Sequence, residues 1–450
     1  MAGDVLLGVD VGTSSIKALA VSPTGEVLAA HSAPTPWHHE GPHFDIAPTM
    51  MADAVIEVLA QAAAAAGADP AGGSIAGIGV TGIGETGILL DRHGRPCAPA
   101  LAWFDPRGDA SRVKAAVSDV EFRRATGMRL NSKPSIAKVQ WLYDHIPTAR
   151  DAVVHLGVGD WIVHALGGVQ ATEVSVASRT GLMDVTTTSS WEPGVELMGD
   201  LLPHQRTWAG DDLGRASGTI PAVLRGAVLT NGGHDHQTAC LVAGAAHPGI
   251  FFDSLGTAEA LIRVIHPVSR DDIERLTGAD INVGQTVLRD HQILLAGRLT
   301  GLSLERIASL LGAQSRDQRQ ELGRQALAMT RDATFPRLID VGNDHLSIVD
   351  VTDGVSPAAL WRAAVEDLVE LTEAPLALMD EVAGPHESSV AVGGWIRNPM
   401  LAEAKSRQLG DYRVLDVEEP GAYGAAFTAG VAAGLLELPP LGKEPRWLSA

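Results

Sequence analysis

An α/β protein built as two related lobes facing one cleft is predicted, on three features of the 450-residue chain. The apolar runs VLLGVDV (5–11) and IKALAV (16–21) are joined by Gly12-Thr13-Ser14-Ser15, which reads as strand, tight turn, strand. That pattern returns in the second half, where Phe251-Phe252-Asp253-Ser254-Leu255 leads into Gly256-Thr257 and then Ala260-Leu261-Ile262-Arg263-Val264. Between the strands lie segments with helical spacing, each with its own start and stop signals.

In chain order, Val55, Val58, Leu59 and Ala62 mark one face of an Ala-rich helix over 49–66, closed by Gly67. Residues 77–82, GIGVTG, match G-x-G-x-x-G, but a dinucleotide site would need a helix to open on the glycines. A strand (87–91) and a turn at Arg92-His93-Gly94 follow instead, so the match is read as a decoy. Ser356-Pro357 offers a cap and a first-turn proline ahead of Leu360, Ala364, Leu368 and Leu371, until Pro375 interrupts. Asn398-Pro399 repeats the start signal and Gly410 stops the run. GAYGAAFTAGVAAG (421–434) is a small-residue helix whose bare surface admits another backbone or a flat ligand. The lobe boundary is placed near residue 228, giving lobes of 1–228 and 229–450.

Composition narrows the function. With 45% hydrophobic and 20% charged residues the chain can bury a large core. A formal charge of −20, from 54 acids against 34 bases, leaves no broad basic surface for nucleic acid. No stretch of membrane-spanning length is free of charge, and MAGDVLLGVD carries an acid where a signal peptide carries bases, so a cytoplasmic protein without a membrane partner is expected. Cys97 and Cys240 form neither a disulfide framework nor a thiolate cage. An anionic ligand would therefore be held by backbone N–H groups, hydroxyls and a divalent cation.

The chain has no P-loop and no protein-kinase signature set. The Gly-Thr bends supply another kind of phosphate site: glycine lets N–H groups approach phosphate oxygens, the hydroxyl adds a hydrogen bond, and Asp10 reaches Mg2+ through water. In NGGHDHQTACLVAGA (231–245), Asp235 reads as an N-cap, a metal ligand with His234 and His236, or a base. H-x-H lacks further ligands, and His38, His39 and His43 have no ligand spacing. As a base, Asp235 would take the proton of a hydroxyl attacking a phosphoryl group, with Gly232-Gly233 giving that hydroxyl room.

Asp10-Val11-Gly12-Thr13-Ser14-Ser15 resembles the first phosphate motif of the FGGY carbohydrate kinases, and Gly232-Gly233-His234-Asp235 is similar to the segment bearing their catalytic aspartate. Ser254-Leu255-Gly256-Thr257-Ala258-Glu259 resembles their second phosphate motif. Gly393-Gly394-Trp395-Ile396-Arg397-Asn398-Pro399, followed by Glu419-Pro420-Gly421-Ala422-Tyr423-Gly424-Ala425-Ala426, resembles their adenosine-binding stretch. Four motifs in order over nearly the whole chain imply two actin-like, ribonuclease H-like lobes, each a mixed β-sheet with flanking helices, closing on ATP, Mg2+ and a polyhydroxy substrate. Gly84-Glu85-Thr86 resembles the Arg-Glu-Thr element of glycerol kinases, with Gly84 where arginine is expected, which argues against glycerol as the substrate. Trp103, Asp105 and Arg107 resemble a Trp-x-Asp-x-Arg element, and Trp395 stands where the adenosine motif often has a third glycine.

The resulting expectation is an ATP-dependent kinase of a sugar or sugar alcohol of four or five carbons. Asp235 is the base and Asp10 holds Mg2+. Gly12, Thr13, Ser14, Gly256 and Thr257 contact phosphates, and Gly393, Gly394 and Asn398 border the nucleoside. Glu85, Trp103, Asp105 and His236 face the acceptor. The rival readings are an ATPase or chaperone-like protein on the same scaffold and an NAD-linked dehydrogenase using 77–82. The sequence is compatible with a homodimer and does not fix the oligomeric state.

Overall fold

The computed structural model describes residues 5–438 apart from 70, 72, 73, 257, 331–334, 340, 342–344 and 416. The first sheet has five strands: β1 (Val5–Val11), β2 (Ser15–Val21), β3 (Val27–Pro34), β4 (Ile75–Gly82) and β5 (Val228–His234). Their order is β5-β4-β1-β2-β3. The three consecutive strands pair antiparallel, while β4 and β5 join parallel on the other side. Strands β4 and β5 are buried almost throughout, which explains their near-continuous apolar or small-residue runs.

Helix α1 (Pro48–Ala65) covers one face, sinking Met51, Val55, Val58, Leu59 and Ala62 as the spacing predicts. Two further helices matter for the site, α2 (Asp235–Val242) directly after β5 and the long small-residue helix near the C-terminal end, which packs on β1, β4 and β5. The contact of that second helix is made backbone to backbone. A Cβ at Gly8 would fall 2.0 Å from the Ala422 carbonyl oxygen, and one at Gly79 would fall 1.9 Å from that of Ala425. Gly77 and Gly79 of the G-x-G-x-x-G match thus make room for a helix of the same chain, while Gly82 meets Val11 and Val158, and a strand at Gly87–Leu90 follows, as expected.

The second sheet contains β6 (Ile250–Leu255), β7 (Glu259–Ile265), β8 (Asn282–Gln285), β9 (Gln292–Arg298), β10 (Ser388–Val392) and β11 (Tyr412–Val414), in the order β8-β9-β7-β6-β10-β11. Again a central hairpin, β6-β7, has an antiparallel neighbour on one side and two parallel strands on the other. The two sheets share this plan, so the duplication read from the paired bends extends to the topology. Helices α3 (Thr300–Leu310), α4 (Pro357–Glu370) and α5 (Pro399–Leu409) pack over the second sheet around the fully buried Trp361, and α6 (Pro420–Ala432) is the small-residue helix already described.

Two local expectations differ from the structure. The run from Ser356 ends at Glu370, and a new helix, Glu373–Ala383, carries Pro375 in its first turn, where a missing N–H does no harm. Residue 228, taken as the lobe boundary, begins β5, yet β5 hydrogen-bonds into the first sheet and α6 lies on that sheet too.

Candidate active site

Asp10 ends β1 opposite Lys17 of β2. Its Oδ1 is buried without a hydrogen-bond partner among the described residues. A Cβ at Gly421, at the start of α6, would lie 2.4 Å from Oδ2, so only glycine lets that helix approach the carboxylate. Burial raises the Asp10 pKa to about 8, with Asp235 and Glu419 pushing the same way and Lys17 opposing. Lys17 is itself paired with Glu419 at 2.6 Å.

The bend after Asp10 is braced from outside. The Gly12 N–H donates to the Ser15 carbonyl at 3.1 Å, Thr35 Oγ1 donates to the Gly12 carbonyl at 2.8 Å, and Trp37 Nε1 donates to the Thr13 carbonyl at 2.7 Å. Trp103 Nε1 donates to Thr13 Oγ1 at 2.9 Å. A hydroxyl that accepts from an indole keeps its own proton free to donate elsewhere. Ser14, at the tip, is exposed.

Asp235 is the first residue of α2, and His234 holds the cap position without a side-chain cap bond, which corrects the N-cap reading. The Asp235 carboxylate instead accepts from the His236 N–H at 2.6 Å and lies 2.9 Å from His234 Nδ1. Its side chain is 22% exposed, open on one side. Burial alone would raise its pKa, but His236 and His234 outweigh that and hold it well below the usual carboxylate range. Asp235 is therefore ionised, with its open side free to accept a hydrogen bond.

The strand feeding Asp235 is bulged between Asn231 and Gly233, and Gly233 has φ 92°. A Cβ there would lie 2.5 Å from Val287 Cγ1 and 2.7 Å from Ser175 Oγ. Gly233 thus makes room for the protein's own packing, which corrects the idea that the glycine pair admits the substrate. Behind it, Asn231 Nδ2 donates to Asp160 at 2.6 Å, the His234 N–H to Ser175 Oγ at 3.0 Å, and Thr81 Oγ1 to the Gly233 carbonyl at 2.6 Å. Ser175 Oγ in turn donates to Glu173, whose pKa burial raises to about 8.

Glu85 lies beside this element with a left-handed backbone, φ 54°, and is buried. It pairs with Arg179, whose Nε lies 3.0 Å from Oε1. Burial would raise its pKa, but Arg179 first, then His234 and Lys138, hold it below the ordinary value. At Gly84, where an arginine is expected from the resemblance, a Cβ would lie 2.9 Å from His234 Cδ2 and 3.3 Å from Arg179 Cγ. The histidine ring and the arginine stem occupy that space. His236 is half-buried and stacks on His234 with ring centroids 5.7 Å apart. Trp103 is half-buried, edge-on to Phe104 and beneath the Lys133 ammonium.

Asp105 departs from expectation. It is 1% exposed and accepts from the Phe44 N–H at 2.6 Å and from the Arg107 backbone and guanidinium. Its oxygens are spent on positioning Arg107 and the 43–46 strand, so it has none to offer an acceptor. Asn398 is also corrected: at 2% exposure it caps α5 through the Met400 and Leu401 N–H groups and donates to the Arg319 carbonyl at 2.8 Å. Gly393, Gly394 and Gly256 are exposed, and Thr257 lies outside the described residues. Among the described residues there is no group of three or more His, Cys, Asp or Glu able to hold a metal. Mg2+ does not need one, because it retains several waters and takes only one or two carboxylates.

The profile of the FGGY family of carbohydrate kinases, N-terminal domain, matches residues 5–201. Residues 5–201 are thus an N-terminal domain of the FGGY family of carbohydrate kinases. It is 27% identical to a glycerol kinase of Geobacter sp. (strain M21) over 471 aligned residues, covering 96% of this chain and 91% of that protein. It is 28% identical to a xylulose kinase of Streptomyces coelicolor (strain ATCC BAA-471 / A3(2) / M145), covering 96% and 88%. In fold it is similar to a kinase from Brucella ovis titled a xyloylose kinase, with TM-score 0.83 at 19% identity over 96% of this chain and 90% of that one. It is also similar to a Plasmodium falciparum glycerol kinase solved with ADP, with TM-score 0.83 at 17% identity over 97% and 90%. This FGGY chain is therefore a carbohydrate kinase with two actin-like lobes, and no helix among its described residues is long and apolar enough to cross a membrane.

Motifs alone did not indicate Arg179, Thr35, Trp37 or Lys17. Each braces a motif from a distant part of the chain. Only the general rule that a buried carboxylate needs a cation would have prompted a search for Arg179.

Proposed function

We propose that this FGGY kinase transfers the terminal phosphoryl group of ATP to a hydroxyl of a four- or five-carbon sugar or sugar alcohol. The observation that carries the reading is the ionised, one-side-open Asp235 within electrostatic reach of Asp10, whose buried Oδ1 has no hydrogen-bond partner among the described residues. Asp235 accepts the proton of the attacking hydroxyl as the hydroxyl oxygen bonds to phosphorus, and the His236 backbone N–H holds the carboxylate in place. An orphaned buried carboxylate oxygen next to a second carboxylate fits a divalent cation, so Asp10 would hold Mg2+, which neutralises phosphate charge when bound.

Around these two groups, Gly12, Thr13 and Ser14 face the phosphates from one lobe, and Gly256 from the other. Gly393 and Gly394 border the nucleoside through their backbone. Glu85 and His236 meet acceptor hydroxyls, and Trp103 covers the carbon face of the acceptor while its N–H orients Thr13. The filled space at Gly84 supports an acceptor other than glycerol. Lobe closure keeps water from competing for the phosphoryl group. The cytoplasm is the expected compartment.

The test is ADP release across tetritols, pentitols and ketoses, with Asp235→Asn beside wild type. One or a few acceptors should be strong, and Asp235→Asn should lower kcat by about 10²- to 10⁴-fold, the usual worth of a general base, with ATP affinity kept. Equal turnover by both proteins rejects the base. ADP release independent of any acceptor favours the ATPase reading.

A further inference from the structure

Lys405 is a lysine with 0% side-chain exposure, and the two carboxylates it meets, Asp253 and Glu259, are equally enclosed. Its Nζ lies 3.0 Å from Asp253 Oδ2 and in close contact with Glu259 Oε1. Thr300 Oγ1, at the first residue of α3, donates to the other oxygen of Glu259. Three charges taken out of water are a poor device for stability, since well-packed apolar side chains serve as well or better. The better-attested use of such a group is to fix register, and the positions of these residues suit that use.

Asp253 lies near the end of β6, and Glu259 opens β7 directly opposite Leu255. Between them is the bend that carries Gly256. Lys405 lies in the second turn of α5, the helix that follows Gly393-Gly394. The same two pieces also touch at their tips: Gly393 has φ 105°, and a Cβ on it would fall 2.3 Å from the Leu255 carbonyl oxygen. The glycine loop is thus laid on the end of β6 by backbone contact, and Lys405 clamps the helix behind it to both sides of the bend.

We propose that Lys405 is a positioning residue for the nucleotide: it fixes Leu255-Gly256, at the end of β6, relative to the Gly393-Gly394 loop, so that phosphates and nucleoside meet one preset geometry. This rests on the assignment of those two segments to ATP made above. The acceptor residues Glu85, Trp103 and His236 lie on other elements, and the clamp leaves them alone.

The test measures ADP binding by calorimetry, acceptor KM, and urea unfolding in wild type, Lys405→Met, and the triple variant Lys405→Met, Asp253→Asn, Glu259→Gln. The triple variant removes all three charges, so it remains folded where the single variant strands two carboxylates. Both variants should bind ADP about tenfold more weakly, the equivalent of ~1.4 kcal/mol, with acceptor KM unchanged. A triple variant that regains stability and ADP affinity together shows a purely structural lysine and overturns the proposal, as does a fall in acceptor affinity equal to that in ADP affinity. Failure of wild type to bind ADP would instead reject the nucleotide assignment itself.

Discussion

Replacing Arg179 by Met leaves Glu85 in place without its cation, and the structure sets the size of the effect. The two side chains are 11% and 10% exposed, and the guanidinium Nε lies 3.0 Å from Oε1. At that separation and an effective dielectric near 20, the attraction is about 5 kcal/mol. Breaking a buried pair from one side costs about 3–5 kcal/mol, because the remaining charge stays desolvated. In wild type the Glu85 pKa is depressed, so its contribution to stability is present above the unfolded pKa and is lost as pH falls through the folded one. Without Arg179 burial dominates, the folded pKa rises above the unfolded one, and stability is lost as pH rises instead. Urea unfolding should therefore show a larger penalty for Arg179→Met at about pH 8 than at about pH 5, where Glu85 can take up a proton. Adding Glu85→Gln should recover much of the loss and abolish its pH dependence, and acceptor KM should rise in both variants while ADP affinity holds. A penalty equal at both pH values, or a double variant no more stable than Arg179→Met, would refute the pairing as the source of Glu85's ionisation.

Gly79→Ala places a Cβ 1.9 Å from a carbonyl oxygen of α6 and should cost more than the ~1–3 kcal/mol of ordinary overpacking, read as loss of soluble protein or a lower urea midpoint. Gly394→Ala meets nothing within 4 Å and should leave the urea midpoint in place while weakening ADP binding. Glu173 is raised from 4.5 to about 8 by burial, so it stabilises most fully below its unfolded pKa and that contribution is lost as pH rises toward 8. Glu173→Gln should flatten the decline in unfolding free energy over that window by on the order of a few kcal/mol; an unchanged slope would show that Glu173 is ionised in the folded protein.

What the sequence disclosed and what it hid divide by distance along the chain. The first bend and the helix starts at Ser356 and Asn398 are local patterns of glycine, cap residue and apolar period, and each appears where such patterns place it. Glu85 and Arg179 are 94 residues apart, and Glu259 and Lys405 are 146 apart, so no window of sequence holds both members of either pair. Asn398 shows a different failure. Its Asn-Pro signal for a helix start was legible, but a carboxamide spent on capping N–H groups has nothing left for a nucleoside. Asp105 repeats the lesson, since an arginine two positions on takes up both of its oxygens.

The seating of α6 on β1 and β4 bears on how the polypeptide matures. Residues 420–432 are made after the whole second sheet, yet they cover Gly8 and Gly79 of the first. As the ribosome works, β1 and β4 stay bare on that side until residues 420–432 have emerged, so neither half can ripen as a free-standing unit. Cutting the gene at residue 228 would yield two fragments that each lack what the other supplies, and coexpression, rather than separate purification, is the route by which they would reunite.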